Sequence, residues 1–164
     1  MTFLETDIKG SYVITYDKSE DSRGDFSRVM CKEDLKSIGI DFDVKQSSMA
    51  TNKANNTARG MHYQEEPYGE NKIIICTSGA IDVLIMDLRD RKTIVRKKLD
   101  SRKSSVEAVY VPKYCASGYV TLMNNCSVLY YMDKYYHPES QKVIGLGIKG
   151  AIMSNKDSKA QEKE

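Results

Sequence analysis

Short runs of β-branched and aromatic residues, cut at close intervals by turn residues, leave this chain little to build except antiparallel sheet. Ser11-Tyr12-Val13-Ile14-Thr15-Tyr16 is the first such run. Runs at 72–77, 80–88 and 93–99 follow, separated by Ser78-Gly79 and Arg89-Asp90-Arg91-Lys92. Runs at 106–111, 118–123 and 127–131 continue the pattern, with Asn124-Asn125 expected as a hairpin turn. Only residues 32–37, ahead of Gly39 as a stop signal, suit a short helix. Many short strands with one minor helix predict an all-β sandwich or barrel.

A length of 164 residues fits one domain, 1–164, and neither a repeat nor a linker divides it. The polar stretch 158–164 reads as a disordered tail. With 25 basic and 23 acidic residues the net charge is +2, so no general attraction to nucleic acid or membrane is expected. No apolar run approaches the ~20 residues that span a bilayer. The opening Met1-Thr2-Phe3-Leu4-Glu5-Thr6-Asp7 lacks the basic and apolar regions of a secretion signal. Cys31, Cys76, Cys115 and Cys126 show no CxxC spacing, and reduced thiols in a cytoplasmic protein are the expectation. Cys76 lies within an apolar run and reads as core.

His62 and His137 are the only two histidines. Metal-dependent barrels bring several imidazoles and a carboxylate onto one ion, and here Gln64 occupies the second position after His62. No metal and no cofactor is therefore expected. In Arg59-Gly60-Met61-His62-Tyr63-Gln64, two-residue alternation puts Met61 and Tyr63 on one side of a sheet and His62 and Gln64 on the other. Turned into a barrel, the second side makes a wet pocket. Read alone, His62 is better taken as a histidine hydrogen-bonded in the core or at a strand end. Tyr130 is equally a core aromatic among 11 tyrosines, and Asp157 part of a solvated end.

Taken in order, these pieces form a recognisable set. Asp21-Ser22-Arg23-Gly24, the Arg59 to Gln64 hexapeptide, Lys72, the run from Gly79 to Arg89, Val111-Pro112, Ala116 and Gly118, Leu129-Tyr130, Tyr135-Tyr136-His137-Pro138 and Ser154-Asn155-Lys156-Asp157 are similar to motifs of the dTDP-4-dehydrorhamnose 3,5-epimerase family. The resemblance spans roughly residues 12–157, as a divergent and shortened member. It implies a cupin double-stranded β-helix, or jelly roll, and a homodimer acting on a nucleotide-linked 4-keto-6-deoxy sugar. It implies His62 as the base, Lys72 as the cation beside the sugar's keto oxygen, Tyr130 as the acid on the opposite face and Asp157 as the partner of His62. Arg23, Gln46, Arg59 and Tyr136 match substrate-holding positions. No role is expected of His137.

The chain departs from the family in several places. Ser117 replaces an active-site histidine, Arg28 stands where the family has glutamate, and Gln46-Ser47-Ser48-Met49 replaces Gln-Asp-Asn-His. Trp is absent, and a stretch between Tyr136 and Asp157 is missing. These changes spare the base, acid and cation but bear on the sugar (hexose or heptose), the nucleotide (dTDP or GDP) and whether one or two carbons invert. The alternatives are a 3,4-ketoisomerase, which moves the carbonyl instead, and a non-catalytic sugar-nucleotide-binding cupin. A metal-dependent cupin dioxygenase is disfavoured by the histidine count.

Overall fold

The computed structural model describes residues 1–162. Thirteen strands and two helices follow one another among them: β1 (Thr2–Glu5), β2 (Tyr12–Tyr16), β3 (Ser19–Asp21), β4 (Gly24–Phe26), α1 (Lys32–Ser37), β5 (Gln46–Asn52), β6 (Ala58–Gln64) and β7 (Lys72–Ser78), then β8 (Ala80–Asp87), β9 (Ile94–Asp100), β10 (Val106–Val111), β11 (Cys115–Thr121), β12 (Cys126–Met132), β13 (Gln141–Val143) and α2 (Asn155–Gln161). Two large antiparallel sheets result, in the orders β1-β2-β10-β7-β12-β5 and β13-β6-β11-β8-β9, with β3 and β4 as a separate hairpin. From β5 onward the chain mostly alternates between the sheets, which makes the fold a jelly roll. None of the helices of the described residues is long and apolar enough to cross a membrane.

That alternation corrects one expectation. Asn125 does turn the chain, with φ at 57°, but Asn124-Asn125 joins β11 of one sheet to β12 of the other rather than closing a hairpin. Ser78-Gly79 likewise crosses between sheets, whereas residues 89–92 close a true β8–β9 hairpin. Both sheets are covered on both faces. Ile74, Cys76, Val109 and Val128 meet Ile81, Val83, Ile85 and Tyr119 in the central core. Ile73 and Ile75, pointing the other way from β7, pack beneath Leu35 of α1 and Phe42. Outside β6 and β11, Met61, Leu84, Ala116 and Val120 are capped by Leu146, Ile144 and Met153. An apolar run such as Ile73-Ile74-Ile75-Cys76 is the signature of a strand buried on both faces.

α1 ends as a Schellman motif, the Ile40 N–H reaching Leu35 O at 3.0 Å and the Gly39 N–H reaching Lys36 O at 3.0 Å. Gly39, at φ 83°, supplies the left-handed turn that stops the helix. α2 was not expected. It runs through residues 158–161 of the stretch read as a disordered tail, while 163–164 lie outside the described residues. Ser154 caps it by accepting the Asp157 N–H at 3.2 Å, and Gln161 Oε1 accepts the Gly147 N–H at 2.9 Å. These contacts hold a polar helix that has almost no apolar face of its own.

Candidate active site

A cleft of about 270 Å³ opens between the sheets. One wall carries Gln46, Ser48 and Ala50 from β5, Lys72 and Ile74 from β7, and Tyr130 and Met132 from β12. The other carries Arg59 and His62 from β6 and Ser117 to Tyr119 from β11, with Gln141 of β13 and Tyr136 at the margin. His62, Lys72, Tyr130, Gln46, Arg59, Tyr136 and Ser117 are thus brought together. Asp157 joins them from behind, in an adjoining recess of about 370 Å³ that shares Arg59, His62 and Gln141 with the cleft. A larger recess of about 490 Å³ between residues 147–153 and α2 holds no histidine or tyrosine.

Glycine sets how closely β6 and β11 approach where Arg59 and His62 emerge. A Cβ on Gly118 would meet Arg59 O at 2.6 Å, and one on Gly60, at φ 99°, would meet Ser117 O at 2.7 Å. The pairing register slips between Ser117 and Tyr119, a bulge that re-aims the side chains beside the cleft.

His62 Nε2 lies 2.7 Å from Asp157 Oδ1. The Asp157 carboxylate is 4% exposed and also accepts the Gly60 N–H at 3.4 Å through Oδ2. Burial alone would raise its pKa, but the hydrogen bond and charge of His62, with the Gly60 and Ser154 contacts, outweigh burial and hold it below the ordinary aspartate range. An ionised carboxylate only accepts, so His62 carries its hydrogen on Nε2, leaving the lone pair on Nδ1.

Lys72 forms an ion pair with Glu70, Nζ to Oε1 at 3.0 Å, both side chains being nearly buried, and Nζ also approaches the His62 carbonyl at 3.4 Å. Among the described residues, no carboxylate acts on Tyr130. Burial, with Tyr119 adding to it, pushes its phenol well above the ordinary tyrosine range, while Arg59 pulls the other way. It therefore stays a proton donor at neutral pH. Gln46 Oε1 accepts the Tyr136 N–H at 2.9 Å and so positions that aromatic, which is exposed at the cleft margin.

Two expected residues stand elsewhere. Arg23 sits on the β3–β4 hairpin away from the cleft, its side chain 88% exposed and paired with Asp21 at 2.5 Å. Gln64 lies on the inner side with His62 but is only 3% exposed and clamps two loops instead. Its amide nitrogen reaches Tyr68 O, Glu70 Oε2 and Tyr135 O, and its oxygen accepts the His137 N–H. His137 stacks on Tyr68 with ring centroids 3.7 Å apart, in the loop after β12. Glu70, Tyr119 and Gln141 of the cleft, Lys156 of the adjoining recess and Asn52 behind Tyr119 escaped the sequence reading. Of these only Glu70 carried a local signal, sharing a face with Lys72 by two-residue alternation.

The family model for dTDP-4-dehydrorhamnose 3,5-epimerase matches residues 5–163. The chain belongs to this family. It is therefore an isomerase built as a cupin, and the resemblance carried by the separate motifs holds across the whole match. A curated relative, the dTDP-4-dehydrorhamnose 3,5-epimerase of Mycobacterium tuberculosis (strain CDC 1551 / Oshkosh), is 26% identical over 88% of this chain and 72% of its own. Among solved structures, the Bacillus anthracis str. Ames epimerase with TDP and PPi bound superposes with a TM-score of 0.88 at 26% identity, over 95% of each chain. The Sulfolobus tokodaii epimerase superposes with a TM-score of 0.87 at 27% identity, over 99% of this chain and 97% of that one.

Proposed function

We propose that this epimerase inverts carbon 3, or carbons 3 and 5, of a 4-keto-6-deoxy sugar carried on a nucleotide diphosphate. One observation carries the reading: a histidine backed by a buried carboxylate, a lysine and a protonated tyrosine converge on a single cleft from two sheets. The C–H bonds beside a ketone are acidic because the carbanion delocalises onto oxygen as an enolate. His62 Nδ1 takes that proton, and the electron pair moves to the keto oxygen. The Lys72 ammonium stabilises the oxygen as charge builds there. Tyr130, on the facing sheet, delivers a proton to the opposite face of the carbon, and the configuration inverts. Asp157 acts through His62 as a positioning residue, and Arg59 with Tyr136 holds the nucleotide diphosphate.

The likeness to epimerases of dTDP sugars supports a dTDP-linked substrate, with a GDP-linked one as the competing case. Ser117 is paired across from His62 and is only 6% exposed. A serine there leaves more room than an imidazole, which supports a longer sugar such as a 6-deoxyheptose and inversion confined to carbon 3. The protein works as a cytoplasmic homodimer in surface-polysaccharide synthesis, and the exposed hairpin bearing Arg23 serves the partner's cleft. Incubation in heavy water with dTDP- and GDP-linked 4-keto-6-deoxy hexoses and heptoses, followed by NMR, tests the reading. Deuterium at carbon 3 alone marks a single inversion, and deuterium at carbons 3 and 5 a double one. Carbonyl migration marks a ketoisomerase, and no exchange with any substrate leaves the non-catalytic binding cupin.

A further inference from the structure

Tyr130 is not the only buried phenol lining the cleft, and the second stands on the facing wall. Tyr119 of β11 also lines it, 1% exposed, with its ring centroid 6.4 Å from that of Tyr130 and the planes tilted by 38°. Behind Tyr119 stands Asn52, also buried, whose amide links three groups. Its Nδ2 reaches the Cys126 carbonyl at 3.2 Å and the Tyr119 oxygen at 3.1 Å. Its Oδ1 accepts from Arg59 Nε at 2.9 Å and lies 3.3 Å from the Tyr119 hydroxyl.

The chemistry of the two end groups fixes this amide. A guanidinium only donates and a backbone carbonyl only accepts, so the Asn52 oxygen must face Arg59 and its nitrogen Cys126. The Tyr119 oxygen then accepts from Nδ2. Its own hydrogen has a choice between the longer contact to Oδ1 and the Tyr130 hydroxyl, which lies within hydrogen-bonding reach of the Tyr119 side chain. Arg59 satisfies Oδ1 without it, so Tyr119 leaves that contact without stranding a buried acceptor.

The choice matters at one step. When Tyr130 protonates the enolate carbon, its O–H bond breaks and the enolate's electron pair becomes the new C–H bond. The pair from O–H stays on Tyr130 as a phenolate, in a site where burial opposes that charge. Among the described residues, no lysine or histidine is hydrogen-bonded to this end of the network.

We infer that Tyr119, held by Asn52 and Arg59, is a positioning residue for Tyr130: it turns its hydroxyl from Asn52 to the Tyr130 oxygen as the proton leaves, and so stabilises the phenolate during inversion. The inference rests on the acid role proposed for Tyr130. It assigns Tyr119 to the protonation half of the reaction and leaves the His62 half untouched. A hydrogen bond to a charged group is the stronger kind, and its loss corresponds to about a 10- to 100-fold drop in rate.

Tyr119→Phe removes only the hydroxyl. In heavy water, with the 4-keto sugar nucleotide that the wild-type protein turns over, two rates separate: wash-in of deuterium to recovered substrate through His62, and appearance of inverted product. The expected result is inverted product slowed about 10- to 100-fold, with KM and wash-in within about threefold of wild type. In a Tyr130→Phe background the same change should cost nothing further, because the phenolate never forms. Equal loss of wash-in and inversion, or a full additional loss in the Tyr130→Phe background, would overturn the inference by making Tyr119 a packing residue. A thermal melt of each variant beside the wild type guards against a folding defect. If the wild-type protein itself exchanges no deuterium, the epimerase reading fails rather than the role of Tyr119.

Discussion

On the β6 wall of the cleft, His62 is tied to a carboxylate that stays ionised although it is almost wholly buried. On the β12 wall, Tyr130 is buried against the neutral phenol of Tyr119, with Arg59 as the charge that tempers its burial. The first wall keeps a site ready to accept a proton, and the second keeps one ready to give a proton away. An inversion needs both states in a single cleft at one pH. Placing base and acid on different sheets lets each have its own neighbour, a buried carboxylate behind the base and a neutral phenol beside the acid.

The largest effects should come from removing the reactive groups. His62→Asn should lower both deuterium wash-in and inversion by about 1,000-fold or more, since a positioned general base contributes roughly 100- to 10,000-fold. Retention of wash-in would break the comparison by moving the base elsewhere. Asp157→Asn should lower kcat by about 100-fold with little change in KM, because the ring loses the acceptor that fixes its tautomer.

Asp157→Asn also carries a pH signature. Because the folded-state value of Asp157 is lowered, its contribution to stability is present above the ordinary aspartate pKa of about 4 and fades as pH falls through the lower folded value. The wild-type protein should therefore lose stability on acidification below about pH 4 more steeply than Asp157→Asn. Urea melts between those pH values check the slope, and parallel slopes would count against an ionised Asp157.

Smaller effects fall on the supports. Glu70→Gln leaves the Lys72 ammonium nearly buried without its carboxylate. A loss of about 2–3 kcal/mol is expected, or a Tm roughly 5–10 °C lower. An unchanged Tm would show that Glu70 and Lys72 are solvated independently of each other. Leu35→Ala, in the cluster outside β7, should cost about 2–4 kcal/mol by leaving a cavity. At temperatures where it stays folded, its kcat should equal that of the wild type. Lowered activity in that variant would mean that the outer layer shapes the cleft.

The two walls were unequally legible in the sequence. β7, β8, β10 and β12 announce themselves because runs such as Ile73-Ile74-Ile75-Cys76 suit only strands covered on both sides. β5 escaped notice, since Gln46-Ser47-Ser48-Met49 lies at a sheet edge, largely exposed, with little apolar pattern. β11 begins at Cys115, three residues before the expected start, because Cys-Ala-Ser has no strong strand preference and is recruited by pairing with β8. Alternation around His62 correctly separated Met61 and Tyr63 from the cleft. Gln64 shares the His62 side but is consumed by loop carbonyls, a fate set by residues far along the chain.

α2 was illegible for a similar reason. Its stability comes from Ser154 and from the meeting of Asp157 with His62, and polar spacing alone reads as a tail. The link from Tyr119 to Asn52 joins residues 67 positions apart and has no local signature. Arg23 matched its motif, yet the fold places it on a separate exposed hairpin, because a motif fixes the order of residues and not their distance.

The division of labour between the walls is tested most directly by Tyr130→Phe in heavy water, with wash-in and inversion followed together by NMR. The account predicts that deuterium still enters the substrate at carbon 3 through His62 while inverted product falls about 100-fold or more, since the facing acid is gone. Inverted product formed at the wild-type rate would contradict it.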